Sequence, residues 1–260
     1  MDLSIIIVEY HSIDEIRNSI LSIVSNVEGC EIIVSSNSCY TEDERARIPF
    51  IADNVKWVFN SRNGGFAYAM NEGLKVAKGD YLVIMNPDCV LTSGIVGMLD
   101  FMKKHSEVGA IAPQMKDADG NIQDTARPYV SLPRFVKRQA IRVVGKKVSI
   151  LNPEMDYTRV QTVDWIIGAF IMVSRKAYET TGGLDDRYFM YAEDLDWCTR
   201  IRQKGFEIVY YPRITIIYKG TRRARSRMKY AVIFLKSHFI YWRTFGFCFG
   251  YPRRQKLFYD

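Results

Sequence analysis

The stretch Leu3-Ser4-Ile5-Ile6-Ile7-Val8-Glu9-Tyr10-His11-Ser12 decides the fold. Leu3–Val8 is a short apolar run rich in isoleucine, which reads as a strand buried on both faces. Ser12, with Glu15 three residues on, predicts a capping box opening a helix to about Val27. Glu31–Ser35 reads as a second buried strand and Val55–Phe59 as a third. Ser61-Arg62-Asn63-Gly64-Gly65 is a turn-forming loop, and Phe66–Ala77 reads as a helix that Gly79 stops. Tyr81–Met85 is another buried strand, followed by Asn86-Pro87-Asp88, and Thr92 is expected to cap a helix running to about Lys104. Strand and helix alternating at this spacing predict an α/β fold: a mostly parallel central sheet with helices on both faces.

Beyond Ala112 the pattern loosens. Lys116–Gln123 holds Asp119-Gly120, a hairpin-type turn. Tyr129–Asn152 is basic and reads as either helix or loop. Val160–Val173 is apolar around Gly168, which fits a strand pair or one bent strand. Glu193–Lys204 reads as a helix with Gly205 at its end, and Glu207–Tyr210 and Ile214–Ile217 as two short strands separated by Pro212. Met228, Ala231, Val232, Leu235, Phe239 and Trp242 fall at helical spacing, so a C-terminal amphipathic helix is expected. The organisation predicted is one domain over 1–225, with halves meeting at 112/113, and an appendage over 226–260.

The 260 residues are 48% hydrophobic and 25% charged, ordinary globular values that exclude a disordered, collagen-like or disulfide-stapled chain. No run approaches the ~18 apolar residues of a spanning helix. The start has no basic segment before its apolar run, so no signal peptide is expected. The five cysteines are odd in number and widely spaced, which predicts reduced thiols and a cytoplasmic setting. The net charge of +7 belongs to one end: eleven Lys/Arg stand against Asp260 alone from Lys219 onward, and the rest of the chain is net acidic. A local polybasic segment points to an anionic surface: membrane lipid, nucleic acid or a diphosphate. The net acidic remainder, with no nucleic-acid-binding motif, excludes nucleic acid.

Ligands of open α/β sheets bind beyond the carboxyl ends of the strands. The residues there are Glu9, Tyr10 and His11; Ser36, Asn37 and Ser38; Arg62, Asn63, Gly64 and Gly65; and Asn86-Pro87-Asp88. Taken singly each is ordinary, since a lone tyrosine is usually core and a Gly pair or Asn-Pro-Asp usually a turn. Converging on one edge, they offer an aromatic face, amides, a cation and a carboxylate, a set that suits a nucleotide diphosphate and its metal. A second constellation runs from Tyr188 to Arg200, where Glu193, Asp194 and Asp196 open a helix behind dense aromatics. Acids suit a helix start for its dipole alone. The aromatics add an apolar setting that raises a carboxyl toward general-base values.

These stretches resemble glycosyltransferase family 2, closest to its rhamnosyltransferase-like bacterial members. The resemblance lies in Ser4–Ser12, in Asn63-Gly64-Gly65-Phe66-Ala67-Tyr68-Ala69-Met70-Asn71-Glu72-Gly73, and in Met85-Asn86-Pro87-Asp88. It continues through Val163–Ala169, Gly182-Gly183-Leu184-Asp185 and Tyr188–Arg200, in family order over roughly residues 3–245. It implies the GT-A fold and an inverting transfer from a nucleotide-diphosphate sugar, with dTDP-rhamnose the first expectation and UDP-sugars the second, to a glycan or lipid-linked acceptor. Asp194 would be the general base, with Glu193 the second choice. Asp88 would hold Mg²⁺ or Mn²⁺ on the diphosphate. Tyr10, Ser36, Asn37, Arg62, Asn63, Gly65, Asn71 and Asn86 would shape the donor side. Asp164, Trp165 and Asp196 would shape the acceptor side.

Two positions depart from the family pattern. Ser36 stands where an acid usually holds the pyrimidine base, and Ile217 stands where a His often ligates the metal. The metal would then be held by Asp88, phosphate and water alone, or Lys219, Arg222 and Arg223 would replace part of its charge. A non-catalytic nucleotide-sugar-binding protein is the competing expectation. A nucleotidylyltransferase would need a Gly-rich basic loop after the first strand, and Glu9-Tyr10-His11-Ser12 is none. The basic C-terminal segment reads either as a peripheral membrane contact or as a helix packed on the domain with its charges solvated.

Overall fold

The computed structural model describes residues 2–133, 135–136, 155–220, 228–247 and 258, and in it β1 (Leu3–Glu9) is buried at every position. Its side chains alternate between two cores, as a strand's period of two requires. Ile6 and Val8 pack with Ala67, Met70 and Leu74 of α3 (Phe66–Val76), and Ile5 and Ile7 pack with Ile16, Ile20 and Ile23 of α1 (Ile13–Asn26). Burying each such isoleucine contributes roughly 2 kcal/mol relative to leaving it in water. Parallel partners lie on both sides, β2 (Glu31–Ser36) and β4 (Tyr81–Met85), with β3 (Val55–Phe59) parallel outside β2. The register sets Glu9 opposite Ser36 and Ile7 opposite Met85, so the carboxyl ends of β1, β2 and β4 meet at one edge.

The remaining elements are α2 (Glu42–Ala46), β5 (Cys89–Leu91), α4 (Val96–Lys104), β6 (Val108–Lys116), β7 (Ala126–Arg127), β8 (Gln161–Thr162) and β9 (Trp165–Ile166), then β10 (Phe170–Ser174), α5 (Arg175–Thr181), α6 (Glu193–Gln203), β11 (Glu207–Tyr218) and α7 (Met228–Phe245). The nine-stranded sheet runs β3-β2-β1-β4-β10-β6-β11-β5 with β8 beside β11, and β7 and β9 form a separate ribbon. β10 is antiparallel to both neighbours, and β5 and β8 are antiparallel to β11. The other ladders of this sheet are parallel, as expected, and the β7–β9 ribbon is antiparallel. β6 runs across position 112, where the two halves were expected to meet. Cys30, Cys39, Cys89 and Cys198 are unpaired thiols.

Several local expectations are corrected. α1 begins where predicted, but Ser12 makes no side-chain cap; its hydroxyl takes the Tyr10 N–H instead. The capping box forms at Thr41 and Glu44, at the start of α2. Thr92 does not cap α4: its hydroxyl donates to the Thr215 carbonyl at 2.9 Å, and Ile95 is the cap residue. Pro212 does not divide two strands; β11 continues through it, and its pairing with β6 shifts register between Tyr211 and Thr215. The Asp119-Gly120 turn forms, closed by a Lys116–Ile122 bridge. Residues 137–154 of the ambiguous basic stretch, and Arg222–Arg227, lie outside the described residues.

Candidate active site

At the end of β1 the Glu9 carboxylate is fully buried and accepts four hydrogen bonds. One oxygen takes the Ser12 N–H (2.8 Å) and the Tyr40 hydroxyl (3.1 Å); the other takes the hydroxyls of Ser36 (2.5 Å) and Ser38 (2.8 Å). A buried charge persists only when paired or saturated with donors, and Glu9 is saturated. It ties the loop after β1 to the loop after β2. Tyr10 stands outside this clamp, 54% exposed, and His11 beside it has a left-handed backbone.

Asn37 carries the connection onward. Its Nδ2 donates to the Gly65 carbonyl (2.9 Å) and to Asn63 Oδ1 (3.3 Å), while its Oδ1 accepts from Asn60 (3.0 Å). Asn63 Oδ1 also accepts the Gly65 N–H at 3.1 Å. Gly65 has φ +92°, and a Cβ there would lie 2.2 Å from the Phe189 carbonyl oxygen. That carbonyl accepts the Phe66 N–H at 2.8 Å, so the start of α3 is bolted to the segment leading into α6. Arg62 lies over the Tyr68 ring at 4.5 Å.

Asn86 and Asp88 follow β4, where the Asn86 N–H donates to the Ala169 carbonyl (2.8 Å). Asp88 is half-buried, and its carbonyl accepts the N–H of exposed Lys219 (3.1 Å) at the end of β11. Burial first, and the Asp88 carboxylate next, push the Tyr218 hydroxyl far above its usual range. Ile217 pairs with Val90 in this ladder and offers no ligand. Among the described residues no group of three or more His, Cys, Asp or Glu could hold a metal. A single carboxylate fits a Mg²⁺ or Mn²⁺ that takes most of its ligands from diphosphate and water, and does not fit an all-protein cage.

The acids of α6 separate into three environments. Asp194 is only partly buried. Its Oδ2 accepts the Gly168 N–H and its Oδ1 the Leu195 N–H, each at 2.8 Å. Burial raises its carboxyl above the ordinary aspartate value, against the lowering pull of those donors and of Arg127. Glu193 is 7% exposed, its Oε2 has no hydrogen-bond partner, and burial with the charges of Asp194 and Asp196 raises its carboxyl well above the usual range. Asp196 is 1% exposed, bonded by Arg200 Nε (2.6 Å) and the Tyr188 hydroxyl (3.2 Å). Tyr191 and Ala192, just before the helix, both have positive φ, a strained arrangement for consecutive non-glycine residues.

One segment joins the two constellations: Gly168 holds Asp194, and the next residue, Ala169, holds Asn86. Glu9, Ser36, Asn37, Asn63, Gly65, Asn86, Asp88 and Asp194 therefore share one rim. Others of the expected residues sit elsewhere. Asn71 is spent bracing α3, bonding Leu184 N–H and carbonyl and Asp186. Asp196 faces the interior. Asp164 and Trp165 are buried; Asp164 accepts the Tyr129 N–H (3.0 Å) and Trp165 donates to the Pro128 carbonyl (3.0 Å). They support the ribbon from beneath, with Arg127 over the indole at 5.3 Å. The clamp role of Glu9 and the anchoring role of Gly168 were not foreseen. A charged residue ending an all-apolar strand was the available signal for the first; nothing local signals the second.

Comparisons with known proteins bear on the fold and the family. Among solved structures, GalNAc-T7 with UDP, GalNAc and Mn²⁺ superimposes with a TM-score of 0.64 at 16% identity, covering 84% of this chain and 44% of that one. Mannosyltransferase PcManGT from Pyrobaculum calidifontis, with GDP-Man and Mn²⁺, gives 0.56 at 18% identity, covering 85% and 57%. Identities this low carry the fold alone, and the fold is GT-A. Rhamnosyltransferase WbbL of Escherichia coli K12 is 25% identical over 91% of both chains. The N-acetylglucosaminyl-diphospho-decaprenol L-rhamnosyltransferase of Mycobacterium tuberculosis is 28% identical over 62% of this chain, which spans about half (54%) of that enzyme's length. Glycosyl transferase family 2 matches residues 4–182, the strand-end sets and the Gly168 segment, stopping short of α6. With that match spanning most of the chain and the GT-A sheet beneath it, this protein belongs to glycosyltransferase family 2.

Proposed function

We propose that this chain is an inverting glycosyltransferase that moves a sugar, rhamnose first, from a dTDP- or UDP-type donor to a hydroxyl of a glycan or lipid-linked acceptor. The observation that carries the reading is the Asp194 carboxylate, fixed by two backbone N–H donors at 2.8 Å and raised by burial. A base must be accessible, oriented and more basic than an ordinary aspartate, and Asp194 is partly exposed, fixed and raised by burial, where Glu193 and Asp196 are buried. Glu193 is buried beside Asp194, and burial with the neighbouring charges favours its protonated form. The acceptor oxygen attacks the anomeric carbon as its proton passes to Asp194. The bond from that carbon to the diphosphate breaks, and the nucleoside diphosphate leaves with the electron pair. Direct displacement inverts the carbon.

On the donor side, Tyr10 is the exposed face for the base, and Asn63 and Gly65 present the loop beside the diphosphate. Asp88 would hold a divalent cation, which supplies neutralisation of the charge growing on the leaving group. Exposed Lys219 adds positive charge beside it. In this reading residues 1–112 serve the donor, 113–225 serve the acceptor, and the enzyme works at the cytoplasmic side of the cell membrane.

Asp194→Asn keeps the shape and one of the two N–H contacts, its amide nitrogen facing the other donor, and removes the base. Transfer with a matching dTDP-rhamnose or UDP-sugar donor is expected to fall by roughly 10²–10⁴-fold, the range for general-base loss, while nucleotide-induced melting shifts persist. Transfer unchanged in that variant would refute the assignment. Melting of the wild type with dTDP, UDP, GDP or CDP, with and without Mg²⁺ or Mn²⁺, identifies the donor class independently.

A further inference from the structure

Met228, Val232, Leu235 and Phe239 of α7 are 85%, 59%, 53% and 50% exposed. They recur every three to four residues and form one apolar stripe about 16 Å long at ~1.5 Å per residue. Of the residues at helical spacing, this stripe thus faces outward, and Trp242 is buried. The helix is held by a different face. Ser237, His238, Tyr241 and Trp242 are buried there. Ser237 donates to the Met190 carbonyl (2.8 Å), Trp242 donates to the Val130 carbonyl (2.8 Å), and the Tyr241 and Thr199 hydroxyls are 3.1 Å apart. Docking of α7 therefore does not consume the stripe.

The stripe's surroundings select its occupant. Exposed Lys236 and Arg243 lie on the same helix, which has no acid, and from Lys219 onward the chain holds eleven Lys/Arg before its one acid, Asp260. A contiguous apolar surface on a soluble-facing helix marks an interaction site. A nucleic acid would satisfy the cations and leave the stripe wet. A second copy would bury the stripe but set cations against cations. An anionic lipid surface satisfies both at once.

We propose that the outer face of α7 docks on an anionic bilayer, its stripe in the headgroup–acyl boundary and its cations on lipid phosphates. The proposal rests on the lipid-linked acceptor reading for its purpose, not for its physics. The inner face of α7 touches Met190 and Thr199, which flank Asp194 in sequence, so the docking helix is anchored to the element that carries the base.

The test is co-sedimentation of the full chain with vesicles of phosphatidylcholine alone and of phosphatidylcholine with phosphatidylglycerol. Binding is expected to the anionic vesicles, weakening with salt. The double variant Leu235→Glu/Phe239→Glu should bind them about tenfold or more less tightly, two buried apolar side chains being lost. Both substituted positions are exposed, so melting temperature and any nucleotide-induced shift should persist. Absence of wild-type binding would overturn the proposal. So would a double variant that binds as wild type, or light scattering showing a wild-type dimer that the variant dissolves. Failure of the glycosyltransferase reading shows separately, as loss of every nucleotide shift with vesicle binding intact.

Discussion

Glu9 has no exposed surface and four donors, three side-chain hydroxyls and one backbone N–H. Glu9→Ala strands the hydroxyls of Ser36, Ser38 and Tyr40 in a dry site, where each unpaired polar group costs about 1–3 kcal/mol. We expect a loss of roughly 3 kcal/mol by urea unfolding, together with weaker nucleotide binding by calorimetry. Glu9→Gln, which keeps one accepting oxygen, should lose less of both. The sequence marks Glu9 as a polar strand end and no more. Its three hydroxyl partners lie 27 to 31 residues away, and the β1–β2 register brings Ser36 opposite.

α6 was legible as an element because acids open it and Gly205 follows its end. The sorting of its acids was not, because three carboxylates within one turn differ only in what faces them. Arg200 takes Asp196, backbone N–H groups take Asp194, and Glu193 is buried beside like charge with its Oε2 unpartnered. The consequence is a pH-dependent cost. Glu193 has a folded value above its unfolded one, so the native state holds the proton longer. Its stabilisation is complete below the unfolded value near 4.5 and is lost as pH rises toward the raised folded value. Glu193→Gln should therefore melt higher than wild type at neutral pH, with the two converging near pH 4, as scanning calorimetry across pH will show. The left-handed pair Tyr191 and Ala192 carries no sequence signature either, since neither is glycine or asparagine. The capping box at Thr41 shows the converse: the pattern was present at Ser12 also, and only surroundings decided which one closed.

The whole molecule is a ring of short links around one rim. Glu9 leads to Ser36, Asn37 to Gly65, Phe66 to Phe189, Asp194 to Gly168, and Ala169 to Asn86. The weakest tolerance in that ring is at Gly65. Gly65→Ala brings a Cβ to 2.2 Å from backbone and keeps a φ of +92°. We expect a loss of about 2 kcal/mol or more and nucleotide binding lowered beyond what the stability loss explains, measured by denaturation and titration calorimetry. The parallel first half of the sheet was readable because its strands are short buried runs and the amphipathic helices α1 and α3 cover its two faces. The second half was not, because β10 enters antiparallel between β4 and β6, an order set by long-range pairing. The direction in which α7 turns its stripe was hidden for a related reason: with apolar residues on both faces, spacing alone does not say which face packs.

The Glu9–Ser36 contact also constrains descent. Where the family's usual acid would precede Asn37, this chain holds a hydroxyl against a carboxylate from the neighbouring strand, at 2.5 Å. Restoring an acid at 36 while Glu9 remains would bury two like charges face to face. The two positions thus have room for one carboxylate between them, and a change at either is to be read together with the other.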